Sequence, residues 1–151
     1  MSVKAILLFS HWKQVRAGLE KVIDSFTDAE LTYSPYPGAW PVGRMMLHIA
    51  ECEDYWLHAV VRRELPPDVS YPLAEYPDRE AIKGALTRAH ARTRAFLETL
   101  DVDDLESYYT TPRGETFTLR WIIWHVLEHE IHHRGELSLC LGLLGREGLD
   151  V

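Results

Sequence analysis

The sequence predicts an all-α fold, a four-helix bundle in one domain spanning residues 1–151. Two observations carry that expectation. Apolar residues recur at steps of three and four through four long segments, the period of one buried helix face. Between the segments the chain is broken by clusters of proline, glycine and short polar residues. The chain has 151 residues, 46% hydrophobic and 26% charged, enough for one bundle with its own core.

In the first helix, about residues 3 to 25, Leu8, Trp12, Val15, Leu19, Val22 and Phe26 form a single stripe. Thr27 with Glu30 has the spacing of a capping box for a short turn. "SPYPGAWP" then interrupts the chain. Pro41 suits the first turn of helix two, where a missing N–H costs nothing. The inward stripe of that helix is Met45, Ile49, Cys52, Trp56, Ala59 and Val60. "ELPPDVSYPLAEYP" ends it. Helix three starts near Asp78, with Ile82, Leu86, Ala89, Thr93, Phe96, Leu97 and Leu100 inward. "SYYTTPRGETFT" alternates around a glycine and reads as an extended pair or a loop. Helix four runs from about Leu119 to Leu144, with Thr118 as N-cap. "FTDAELTY" after helix one is echoed by "LDVDDLESY" after helix three.

Composition excludes several function classes. A net charge of −7 with scattered Lys and Arg argues against nucleic acid as a partner. The run "AILLF" is too short for a membrane span or signal peptide, so no membrane partner is expected and the cytoplasm is the expected compartment. The two cysteines, Cys52 and Cys140, lie in apolar helical segments and read as buried thiols.

The chemistry concentrates in "WHVLEHEIHHRGE", Trp124 to Glu136. His125, His129 and His133 are spaced by four. Steps of four drift only about 40° around a helix, so the three imidazoles line one shallow stripe. Ile122, Val126, Leu137 and Cys140 share that side, so the stripe faces the core. Glu128 points away and His132 lies toward one edge. One inward histidine is most simply a hydrogen-bonded core residue. Three in a row stabilise nothing that leucine would not, unless they share a divalent cation. Residues eight apart are about 12 Å apart along the axis, too far to share one ion. The ion therefore takes His125 with His129, or His129 with His133. "HEIHH" and "HVLEH" spell zinc-protease patterns, but only eighteen residues follow His133 and they hold no further histidine.

The remaining ligand comes from another helix. His48 lies near the inward stripe of helix two, one turn before Cys52. His58 reads as the less apolar side, His90 as exposed, and His11 as the weaker choice near the chain start. The connection from Glu64 to Pro77 can span about 46 Å, more than the roughly 35 Å of a 23-residue helix. It can leave helices two and three parallel, with helix four opposed to helix two. That arrangement selects His48, His129 and His133.

The blocks "LTYSPYPGAWPVGRMMLHIAECEDYWL" and "LRWIIWHVLEHEIHHRGELSLCLGLLG" resemble the DinB/YfiT-like superfamily of four-helix bundles across nearly the whole chain. "HRGEL" resembles the family's H-R-G-Q ending, with Glu136 where glutamine is more usual; Pro41 stands where serine is more usual. The resemblance implies an up-down-down-up bundle, a homodimer, and a metal on one histidine of helix two and two of helix four, which again are His48, His129 and His133. It further implies a transferase that activates a low-molecular-weight thiol, of the bacillithiol or mycothiol type, and adds it to an electrophile. A metal-dependent hydrolase and a stress-response metal-binding module without turnover are the alternatives. The expected cofactor is one divalent ion, zinc or nickel first and iron or manganese next. His125 is expected as a supporting donor or a packed core residue. Cys52 and Tyr55 are expected at the pocket. Arg134 and Glu136 are expected to bind each other or a substrate carboxylate. Glu130 is a candidate general base, one step off the inward face and so at the helix edge.

Overall fold

The computed structural model describes residues 3–150. Four helices form the bundle: α1 (Trp12–Asp24), α2 (Val42–Glu53), α3 (Arg79–Thr99) and α4 (Leu119–Leu143). α2 continues without a break into a π-helical segment, Asp54–Val61. A short hairpin of β1 (Tyr108–Thr110) and β2 (Thr116–Thr118) precedes α4, with Tyr109 opposite Phe117. The alternating stretch is thus an extended pair. Its turn is closed by Gly114 at φ 87°, a conformation that disfavours other residues.

Side-chain contacts set the helix directions. Trp12 and Arg16 of α1 meet Glu130 of α4, and Gly18 lies against Arg134. Both numbers rise together, so α1 and α4 are parallel. Glu53 meets His90 and His58 meets Thr93, so α2 and α3 are parallel too. Trp56 packs on Trp121 while His48 meets His133, so α2 and α4 oppose each other. The topology is up-down-down-up. It depends on the segment between α2 and α3, which runs back along α2. Tyr71 reaches Glu51 and Asp54, and Leu73 lies so close to Gly43 that a Cβ there would approach its Cδ1 to 2.7 Å. Glycine at 43 is the residue that lets the crossing chain lie flat on α2.

Most of the stripes bury as their spacing predicts; Val15, Leu19, Ile49, Ile82, Ile122 and Leu137 are all within the core. The N-caps follow as well. The Asp78 carboxylate accepts from Ala81 N–H, and Thr118 Oγ1 accepts from Trp121 N–H. Thr27 and Glu30 form the capping box around the 3-10 turn Asp28–Thr32. The echo after α3 repeats it: Asp101 and Asp104 cap the 3-10 turn Val102–Glu106.

Three expectations need correction. The first helix does not run unbroken from residue 3. Ala5–Phe9 is a separate 3-10 segment, tied to the end of α3 by Ala5 N–H donating to Leu100 O. It buries Ala5 and Phe9 and turns Leu8 to solvent. His58 is fully buried, because the π turn (Arg62 N–H reaching back five residues to Leu57 O) rotates the end of the helix toward α3. His90 is not free on the surface: its Nδ1 lies 2.9 Å from Glu53 and its ring packs on Trp12.

Candidate metal centre

α2 and α4 oppose each other so that His48 enters between His129 and His133, one turn apart on α4. His129 Nε2 is 3.1 Å from His48 Nε2 and 3.1 Å from His133 Nε2, and the three nitrogens all lie within 4.8 Å of one another. Their partners settle which nitrogens carry hydrogen. A carboxylate only accepts. His48 Nδ1–H therefore donates to Glu51 Oε2 at 3.1 Å, and His133 Nδ1–H to Glu136 Oε2 at 2.6 Å. In the neutral, ligating form of each ring, Nε2 then presents a lone pair. His129 Nε2 stands between them and has at most one hydrogen to offer. At least one of the two contacts sets lone pair against lone pair, and a cation among the three nitrogens removes that repulsion. Ligands about 2.0–2.1 Å from a tetrahedral ion lie roughly 3.3 Å apart, close to the spacing seen. The residues fit a divalent metal.

The two histidines of α4 are held neutral, the form that ligates. Burial, reinforced by the neighbouring imidazoles, depresses the His129 pKa to about 3. Burial also lowers that of His133, although Glu136 opposes it. Arg44 and Tyr71 N–H hold Glu51 in place. Burial works to raise its pKa, but the hydrogen bonds from His48, Tyr71 and Arg44 outweigh that and leave it lowered. Glu51 was not singled out from the sequence, yet a signal existed. "HIAE" and "HRGE" repeat one H-x-x-E spacing, which places each carboxylate on the same helix face as its histidine.

The other expected site residues divide. His125 stacks flat on Trp121, ring centroids 4.7 Å apart, and lies 6.3 Å from the His129 ring; it walls the site without joining the cluster. Cys52 and Tyr55 line the cavity beside His48 and His129. Burial pushes the Cys52 thiol pKa well up, so it stays protonated. Glu136 does not pair with Arg134. It spans His133 and His132, while Arg134 lies beside Gly18 of α1. Glu130 is not at the helix edge. It is 1% exposed and accepts from Trp12 Nε1 and Arg16 Nη2, toward α1 and away from the imidazoles. Position 130 follows His129 by about 100°, which is enough to enter the next interhelical seam.

Two cavities adjoin the cluster. One of about 460 Å³ includes Tyr36, Trp40, Met45, Leu139, His133 and Glu136 in its lining. The other, about 380 Å³, includes His48, Cys52, Tyr55, Trp56, His125 and His129.

The inward histidines make stability depend on pH in a definite direction. Burial lowers the pKa of His58, His125, His129 and His133 in the fold. The unfolded chain protonates them near 6.5. Below that value the unfolded state binds more protons, so stability present at pH 7 is lost as pH falls. His129 alone contributes at most about 1.4 kcal/mol per pH unit, less its partial solvent screening. Thermal melting of metal-free protein should fall between pH 7 and pH 5; a flat profile would contradict neutral buried imidazoles.

A bundle that turns three imidazoles on one another across opposed helices defines a class: helical proteins with a histidine groove that could hold a metal ion. The chain belongs to the DinB superfamily, which it matches over residues 11–137. It is 25% identical over 115 residues to the uncharacterised protein YizA of Bacillus subtilis strain 168, covering 75% of this chain and 70% of that one. Its fold is similar to the crystal structure of the DinB-like protein YjoA of B. subtilis, with a TM-score of 0.74, 21% identity, and 94% of each chain covered. It is also similar to YfiT of B. subtilis, described as a probable metal-dependent hydrolase with an unusual four-helix bundle topology. The TM-score there is 0.58 at 24% identity, over 88% of this chain and 85% of that one. Among the described residues no helix is long and apolar enough to cross a membrane.

Proposed function

We propose that the protein is a metal-dependent S-transferase that joins a small thiol to an apolar electrophile at His48, His129 and His133. The observation that carries this reading is a pair of cavities that both border the histidine cluster, one at His133 and the other at His48 and His129. A two-substrate reaction needs two compartments that share one reactive centre, whereas a hydrolase needs one and water. A divalent ion, zinc or nickel first, supplies Lewis acidity that favours the thiolate over the thiol.

The chain's own residues divide the remaining work. Glu51 and Glu136 fix two rings so that Nε2 faces the centre. Tyr36, Trp40 and Leu139 offer the electrophile an apolar seat. His125 is neutral and borders the second cavity, so it is placed to take the thiol proton. Sulfur then bonds to the electrophilic carbon as the leaving group departs. The hydrolase reading keeps the same metal site and draws support from the description of YfiT.

The test offers bacillithiol, mycothiol, glutathione and cysteine with 1-chloro-2,4-dinitrobenzene to metal-loaded protein. Thioether formation that stops in His129→Ala supports the transferase. Ester or amide cleavage without thiol consumption supports the hydrolase. Stoichiometric metal with neither activity supports a binding module.

We also read the outer face of α4 as the contact between two copies in a homodimer. Trp121, Trp124 and Ile131 share that face and are exposed. Light scattering should report a dimer that Trp124→Glu with Ile131→Asp converts to monomer; a monomeric wild type would reject it.

A further inference from the structure

On the α1–α3 side, away from the imidazoles, a cavity of about 480 Å³ opens between the segment Ala5–Phe9, α1 and α3. That volume is within the range of ligand pockets. Its apolar lining includes Ile6, Leu7, Phe9, Trp12, Ala17 and Leu97. Leu7 is 64% exposed, an aliphatic side chain with little of the protein to cover it.

The charges around this cavity run against those of the chain. The protein carries −7, yet the lining holds Lys13, Arg16 and Arg94 against a single acid, Glu20. Arg16 is occupied from behind by Glu53 and Glu130 and forms floor. Lys13 and Arg94 are exposed. Lys13 makes no ion pair among the described residues, and Arg94 reaches only Glu98, at 3.7 Å. An occupant must therefore bring hydrocarbon for the walls and one negative charge for the rim. A neutral apolar molecule leaves the two cations unused. A polyanion meets Glu20 and has no second cluster of cations to balance it.

We propose that this cavity binds an apolar monocarboxylate, with its hydrocarbon part against Ile6, Leu7, Phe9 and Leu97 and its carboxylate at Lys13 and Arg94. The site is independent of the metal centre and of any reaction there. It makes the protein a carrier or sensor of amphipathic acids as well as a metal protein.

Titration calorimetry of the intact chain with decanoate and with decanol tests it. Decanoate should bind saturably and about tenfold more tightly than decanol. Lys13→Glu with Arg94→Glu should remove that preference while decanol binding persists. Ala17→Trp, at a lining position on the exposed side of α1, should block both ligands without changing the helical circular dichroism or the metal content. No saturable decanoate binding, equal affinity for the two ligands, or decanoate binding that survives Ala17→Trp would each overturn the proposal.

Discussion

His129→Ala should leave the protein unable to retain a metal ion. Metal analysis after dialysis should fall from about one ion per chain to none, in protein prepared without a histidine tag. His129 is the shared partner, 3.1 Å from both His48 and His133, so its loss leaves two nitrogens on opposed helices with nothing between them. Replacing a group that only orients a ligand costs roughly 10–100-fold in metal affinity. Glu136→Gln should fall in that range, because an amide oxygen can still accept from His133 Nδ1 but carries no charge. Removing the central ligand should exceed it. The fold should survive, since burial of a neutral imidazole beside two others contributes little that alanine removes. Unchanged metal content in His129→Ala would reject the ligand set, whatever the reaction.

Arg16→Met should be the most destabilising single substitution outside the apolar core. Arg16 Nη2 lies 3.0 Å from Glu53 Oε2 and 2.9 Å from Glu130 Oε2, and each of those glutamates is only 1% exposed. Burial works to raise the Glu53 pKa, and Arg16 with His90 outweighs it and holds the carboxyl ionised. Burial leaves the Glu130 carboxyl raised despite Arg16. Without the guanidinium, two carboxylates share a dry seam with the His90 ring as the remaining hydrogen-bond donor to Glu53. Breaking a buried ion pair from one side costs about 3–5 kcal/mol. For a chain of this size that is a fall in melting temperature of roughly 10 °C. Glu130→Gln added to Arg16→Met should recover much of the loss, because one of the two charges is gone. The single variant should also lose less at pH 5 than at pH 8, since burial raises the Glu130 pKa and a falling pH favours its uncharged form. A loss below about 1 kcal/mol at pH 8 would mean that this network does not hold the four helices together.

The buried network also marks where sequence reading stops. "AECED" carries three acids that all bury: Glu51 supports His48, Glu53 takes Arg16 and His90, and Asp54 takes Arg92 and Tyr71. An acid in a helix reads as solvent-facing because hydropathy records its cost in the core and not the cation that will meet it there. His90 reads as exposed for the same reason, lying among charges, and Glu130 reads as a helix-edge carboxylate because it stands one step off the inward face. By contrast, Leu19, Ile49, Ile82 and Leu137 were legible because an apolar side chain needs no particular partner, only a face.

The sequence by itself determined four helical stripes, their caps, and a row of imidazoles that had to face inward. Periodicity does this because burial depends on angle around one helix, a local property. Tertiary structure alone decided which helix each stripe would meet. It set Arg16 between two glutamates and opened cavities on both sides of the imidazoles. Those outcomes depend on how side chains from separate helices satisfy one another's charges and lone pairs, and no single helix carries that information.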